Sequence, residues 1–245
     1  MNALLSVHDL TKRFSSIVAV DGVSFALEPG EILGIVGPSG SGKSALVNCV
    51  FGQLVPSSGE VRLDGRPITG LRARELSRLG LARTFQRVQL FPQLTVRDNL
   101  IAAGQEHRES LWSRLVGPPD AGLTGTAAEM MAFFRLTDLA DQAAGTLADG
   151  QQKLLDIAMA FMARPRLVLL EEPAAGLDEA ALGPLRERLR AINAQAGATF
   201  MIVDRDLHVV TGLATRLLVL REGRVVAEGD VDTLRNSGVL AAESS

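Results

Sequence analysis

Residues 37–44, Gly-Pro-Ser-Gly-Ser-Gly-Lys-Ser, and the adjacent acids Glu171 and Glu172 are the parts of this chain whose types and spacing carry chemistry. The first run satisfies G-x-x-x-x-G-K-[ST], follows the apolar stretch EILGIV and precedes a helical pattern. Gly37, Gly40 and Gly42 free the backbone for conformations that a Cβ forbids. The loop from Gly37 through Pro38, Ser39, Gly40 and Ser41 to Gly42 can then turn its N–H groups onto phosphate oxygens at a helix N-terminus. Lys43 adds a point charge near the β and γ phosphates, and Ser44 offers a hydroxyl to Mg²⁺. Such a loop takes ATP or GTP.

The second feature is RLVLLEEPAAGLDE, residues 166–179, an apolar run that ends in two acids and a turn. In a P-loop protein a strand beside the first one ends in a carboxylate that holds Mg²⁺, often through water. Glu171 is expected to be that metal-side acid. Glu172, one residue on, points differently and can polarise an attacking water.

The elements that must position these groups follow from the hydrophobic pattern. LLSVHDL, IVAVDGVSFAL and EILGIVG are short, apolar or alternating, and broken by Gly. VRLDG adds a strand and RARELSRL a short helix. The segment from Leu94 to Leu139 reads as mostly helical with a loop at VGPPDAGLTG, and DGQQKLLDIAMAFMA as a helix with Leu154, Leu155, Ile157, Ala158 and Phe161 on one apolar face. Strands and helices then alternate. The order predicts an α/β fold: a P-loop core with a mixed or parallel sheet, an N-terminal antiparallel β subdomain and a helical subdomain. The whole chain, 1–245, reads as one domain. The core with its β part would take about 1–90 and about 160–235, the helical part about 91–159, and residues 236–245 an untethered tail. Residues 115–125 are the other flexible candidate.

Composition narrows the class. The chain is 47% hydrophobic and 22% charged with a formal net charge of −3, which is globular and gives no footprint for a nucleic-acid partner. Cys49 stands alone, so no intrachain disulfide forms, and it reads as a small core hydrophobe in a reducing compartment. The opening MNALLSVHDLTKRF meets charge too early for a signal peptide, and no apolar run approaches the roughly 18 residues of a membrane span. The basic face of RERLRAINAQ reads as solvated surface. Leu111, Trp112, Leu115 and Val116 read either as packing for the helical part or as a contact with a membrane subunit.

Taken in order, the motifs resemble those of ABC transporter ATP-binding subunits over nearly the whole chain, most of all the branched-chain amino-acid importer ATPases. Phe14 lies where the family stacks an aromatic on adenine, Gly37–Ser44 match Walker A, and Gln86 in RTFQRVQLFPQLTVRDNL matches the Q-loop. LADGQQ stands at the signature motif, with Ala148, Asp149, Gly150 and Gln151, LVLLEE matches Walker B plus the catalytic Glu172, and AGLD ends in the D-loop acid Asp178. The resemblance implies an ATPase that binds ATP and Mg²⁺, the metal held by Ser44, Gln86 and Glu171. It implies head-to-tail pairing with a second such cassette. It also implies transmembrane permease subunits that hold the chain at the cytoplasmic face of the inner membrane, and indirectly a solute-binding protein.

Three positions depart from that family pattern. Walker B ends in Glu171 where the family has Asp. Arg205, in FMIVDRDLHVV, stands where the family has a histidine that contacts the γ-phosphate and orients the catalytic Glu. Arg205 could itself contact phosphate, or pair with Glu172. Asp149 puts an acid into the signature loop. His208, three residues after Arg205, reads as a surface histidine. Together these changes suggest a chain that binds ATP and hydrolyses it slowly. The alternative is a nucleotide-gated interaction subunit paired with a competent ATPase.

Overall fold

The computed structural model describes residues 3–105, 121–177, 179–204 and 206–240. Asp178, Arg205 and the stretch containing Leu111, Trp112, Leu115 and Val116 lie outside the described residues.

Two sheets form the frame. Strands β1 (Leu5–Phe14), β2 (Ile17–Leu27), β4 (Ser58–Leu63) and β5 (Arg66–Pro67) make an antiparallel sheet in the order β2-β1-β4-β5. Strands β3 (Ile32–Val36), β6 (Leu81–Arg83), β7 (Leu167–Glu171), β8 (Thr199–Val203), β9 (Arg216–Arg221) and β10 (Arg224–Asp230) make the second, in the order β10-β9-β3-β8-β7-β6. Its neighbours are parallel except β10, which returns antiparallel to β9. Every residue of β3 and β8 is buried, so these strands read as continuous runs, apolar but for Thr199 at the start of β8, rather than alternating ones.

The sheet separates two cores, and the period of two decides which residue joins which. Leu167 and Leu169 of β7, with Leu33, Ile35 and Met201, face the antiparallel sheet and helix α1 (Lys43–Val50). Val168 and Leu170, with Phe200 and Ile202, face the other side. There helices α3 (Val96–Gln105), α4 (Ala121–Phe134) and α5 (Asp149–Phe161) pack together, and α6 (Glu179–Ala196) joins them. A chain of rings ties the helices to the sheet: Phe134 to Phe161 at 6.3 Å, then Phe161 to Phe200 at 6.0 Å. Helix α2 (Ala73–Arg78) precedes β6, and α7 (Leu207–Thr211) and α8 (Val231–Asn236) close the fold. Gly34 lets α7 lie against β3, since a Cβ there would sit 2.3 Å from Val210 Cγ1.

Three expectations need correction. The loop expected through residue 125 is helical from Ala121, because AGLTG continues into an apolar helix with Ala127, Met131 and Phe134 buried. The tail expected from residue 236 is tethered at Leu240, which is 4% exposed against the helical-side core. The basic face of α6 is not simply solvated: Arg190 donates to the Gly212 carbonyl at 2.5 Å and Arg188 lies 5.8 Å from the Phe133 ring. Cys49 is buried, and burial pushes its thiol up. Among the described residues no helix is long and apolar enough to cross a membrane.

Candidate nucleotide site

Strand β3 runs into the loop 37–42, and α1 begins at Lys43. The loop depends on two glycines for different neighbours. A Cβ on Gly37 would lie 2.1 Å from the Leu220 carbonyl oxygen, and one on Gly42 2.2 Å from that of Ala19. Both have positive φ, 147° and 102°, in the region that glycine tolerates. The loop is thereby pressed against the ends of β9 and β2, and the Gly223 N–H donates to the Ser41 carbonyl at 2.9 Å. Lys43 Nζ folds back on its own loop, donating to Gly37 O at 2.5 Å, Pro38 O at 2.9 Å and Ser41 Oγ at 3.2 Å. No acid stands in the first turn of α1, so the positive end of the helix faces the loop uncompensated by its own sequence.

The loop lines a cleft of about 910 Å³ together with Glu171, Glu172, Asp204, Asp206, Leu207 and His208. The cleft opens at the carboxyl ends of β3, β7 and β8, where open α/β sheets place ligands. Glu171 continues the Leu167, Leu169 alternation and so projects on the α1 side of the sheet. Its carboxylate accepts from Arg83 Nη2 at 2.7 Å. Arg83 ends the neighbouring strand β6, in register with Leu169, one step behind Glu171 on the same face. Its other nitrogen, Nη1, donates to Asn48 Oδ1 of α1 at 2.7 Å, and its guanidinium lies 5.1 Å from the Phe85 ring.

Glu172 leaves the strand with φ of 44°, a conformation that costs a non-glycine residue about 1 kcal/mol or more. Its N–H donates to Val203 O at 2.6 Å, which fixes the turn. Gln86 Nε2 donates to Glu172 Oε2 at 2.7 Å. Gln86 and the expected water-activating acid are thus already in contact.

The other expected positions lie elsewhere. Ala148 caps α5, and Asp149, Gly150 and Gln151 form its first turn, where the Ala148 N–H donates to Gln151 Oε1 at 3.1 Å. They line a separate cleft of about 490 Å³ with Leu177 and Ala181. Phe14, at the end of β1, is 44% exposed with the Lys12 ammonium 5.0 Å from its ring, and it does not line the loop's cleft.

Several residues escaped the sequence reading. Arg83 and Asn48 give no sequence signal, since their role comes from strand register. Asp204 is 7% exposed and accepts from the N–H groups of Ala174 and Asp206. It follows an apolar strand just as Glu172 does, which was the available signal. His208 is exposed, as expected of a surface residue, but it also walls the loop's cleft.

The residues fit a Mg²⁺-nucleotide. A loop with glycines at 37, 40 and 42, leading into a helix N-terminus with no acid in its first turn, suits phosphate, and the Ser44 hydroxyl and Glu171 carboxylate are hard oxygen donors suited to Mg²⁺. Among the described residues, no three His, Cys, Asp or Glu side chains could hold a metal by themselves. Mg²⁺ commonly completes its shell with phosphate and water.

Comparison with known proteins decides the family. The ABC transporter model matches residues 20–175. The chain belongs to the ABC transporter family. It is 33% identical over 240 residues to the high-affinity branched-chain amino acid transport ATP-binding protein BraF of Pseudomonas aeruginosa, covering 96% of this chain and 94% of that one. Among solved structures it resembles the ADP conformation of an ATP-binding cassette of an ABC transporter, with TM-score 0.89 and 29% identity over 99% of this chain and 98% of that one. A dimeric post-hydrolysis cassette bound to ADP and Pi matches with TM-score 0.78 and 26% identity, over 93% of this chain and 98% of that one. The cassette's core, with its antiparallel and mixed sheets, is therefore that of an ABC ATPase.

Proposed function

We propose that this cassette is the ATP-binding, energy-coupling subunit of an importer for branched-chain or other amino acids, and that its own site hydrolyses ATP slowly. The observation that carries the reading is the phosphate loop facing Glu171 and Glu172 across one cleft, in a chain 33% identical to BraF over nearly its full length. Gly37–Lys43 hold the phosphates. Ser44, Glu171 and Gln86 would hold Mg²⁺, which when bound neutralises phosphate charge. Glu172 orients and deprotonates the attacking water, and Phe14 stacks on the base. Ala148–Gln151 and Asp178 serve the nucleotide of a second cassette, and permease subunits hold the pair at the cytoplasmic face of the membrane.

Three features support slow hydrolysis. Arg83 engages the Glu171 carboxylate at 2.7 Å. Asp149 brings a negative charge to the signature turn. Arg205 stands in the histidine's place. Catalysis of phosphoryl transfer rests on positioning and electrostatics, so small displacements matter. The Arg83–Glu171 pair also favours a second reading, in which the chain binds ATP, closes on a competent partner ATPase and leaves hydrolysis to it.

The test is steady-state ATP hydrolysis by the assembled transporter, with the partner cassette's own site disabled if the pair is mixed. Slow turnover that Arg205→His raises supports the first reading. Turnover that stays at the level of Glu172→Gln, with or without Arg205→His, supports the second. Ordinary turnover by the parent chain, abolished by Glu172→Gln, overturns slow hydrolysis.

A further inference from the structure

Helix α5 buries two charged residues that the apolar-face pattern did not anticipate. Lys153 is 1% exposed and Asp156 is 7% exposed. They are three residues apart, so they project from the same side of the helix. A buried charge is expensive, and an apolar residue of similar volume would serve packing better. Their burial therefore calls for what they touch.

Both touch the Gln86 segment, at opposite ends. Lys153 Nζ approaches the Phe85 carbonyl at 3.4 Å. Asp156 Oδ1 accepts the Gln89 N–H at 3.2 Å. Gln86 lies between these two attachments and donates to Glu172 at 2.7 Å. Upstream the segment is anchored to the sheet, with the Thr84 N–H on Leu169 O at 2.9 Å. Downstream it is anchored by fully buried Asn99 of α3, which accepts from Phe91 N and donates to Phe91 O. Between these anchors, 85–89 is held by α5.

We propose that Lys153 and Asp156 are positioning residues that hold Phe85 and Gln89 on α5, so that the Gln86 amide reaches the Glu172 carboxylate. The helix whose first turn carries the signature residues is thereby wired to the water-activating acid, through two backbone attachments that flank one glutamine. A shift of α5 moves both attachments together and carries Gln86 with them. The electrostatics agree. Burial pulls the Lys153 ammonium down from its ordinary value, against the attraction of Asp156, Asp204, Glu172 and Glu171. Burial pushes Asp156 up, opposed by the Gln89 N–H and by Lys153. Asp156 Oδ2 is buried with no hydrogen-bond partner among the described residues. The inference rests on the proposed role of Gln86 and Glu172, so its test has one arm that does not need hydrolysis.

In the full chain, amide hydrogen exchange is measured over 85–89 and over α1 for the parent, Asp156→Ala, Asp156→Asn and Lys153→Met. Asp156→Asn keeps an oxygen acceptor for Gln89. The expected result is exchange over 85–89 faster by about tenfold in Asp156→Ala and in Lys153→Met, near parental in Asp156→Asn, with α1 unchanged in all. Equal exchange over 85–89 in all four proteins overturns the proposal. So does equally faster exchange over α1, which reports general loosening. In the assembled transporter, Asp156→Ala should lower turnover about tenfold with MgATP affinity within about twofold. In a Gln86→Ala background it should lower turnover no further, because the same interaction is already gone. An equal loss in that background also overturns the proposal. If parental turnover is absent, the proposed function fails there, and the exchange arm still decides this inference.

Discussion

Arg83 and Glu171 form a 2.7 Å ion pair at the ends of two adjacent parallel strands, with side chains only 10% and 17% exposed. The pair exists because Glu171 has the reach and because Arg83 sits one step behind it on the same face. It sets the carboxylate expected to serve Mg²⁺ against a resident cation. Glu171→Asp shortens that reach, so the Mg²⁺ concentration for half-maximal MgATP binding should fall by about threefold or more. Arg83→Met leaves a largely buried carboxylate unpaired and should lower stability in urea by about 3 kcal/mol. An unchanged Mg²⁺ dependence in Glu171→Asp would show that the pair does not compete with the metal.

The loop glycines divide by what surrounds them. Gly37→Ala and Gly42→Ala each drive a Cβ to near 2 Å from a backbone oxygen, 2.1 Å and 2.2 Å. Each should weaken ATP binding by about tenfold or more and cost about 1–3 kcal/mol of stability. Gly40→Ala meets nothing within 4 Å, with φ of 79° as its only obstacle. It should cost about 1 kcal/mol and leave more of the binding intact. Isothermal titration with thermal melts separates the two classes.

Phe14→Ala removes a ring that is 44% exposed and contributes little packing. Stability should change by less than about 0.5 kcal/mol. If the ring stacks on the base, ATP affinity should drop by about fivefold or more. Unaltered affinity for ATP would remove Phe14 from the base site.

Acid-range stability should carry the mark of Asp156. Burial raises its folded pKa above the ordinary aspartate value, so the folded state holds the proton longer than the unfolded state. Stability then falls as pH climbs from about 4 through the raised folded value. Lys153 is shifted the other way. Its penalty is present below its folded pKa and is relieved only as pH rises above it, so it does not cancel the acid slope. Asp156→Asn should flatten urea midpoints measured from about pH 4 to 7. A parent and variant with parallel curves would contradict the shift.

The motifs that depend on contiguous residues were legible in the one-dimensional pattern. The glycine loop between strand and helix, the two acids at and just after the end of β7 and the segment RTFQRVQLFPQLTVRDNL around Gln86 need only local backbone and neighbours. Lys153 and Asp156 were not legible, because a lysine and an aspartate within an amphipathic helix ordinarily mark its wet face. Here α5 is enclosed by the sheet edge, the Gln86 segment and neighbouring helices, so both charges are inside. The helix over Ala121–Gly125 was missed because its two glycines and a preceding Pro-Pro-Asp run resemble a loop, while Leu123 and Ala127 commit it to packing.

By itself the sequence determined the α/β fold, the glycine-rich loop between strand and helix and the placing of two adjacent acids at the end of an apolar strand, since these follow from residue type, period and short-range order. Only the tertiary structure decided which partner each acid meets: Arg83 for Glu171 and Gln86 for Glu172. Those partners lie 88 and 86 residues away along the chain. Strand register and the anchoring of a loop onto a helix bring them together, and neither is encoded in any local spacing.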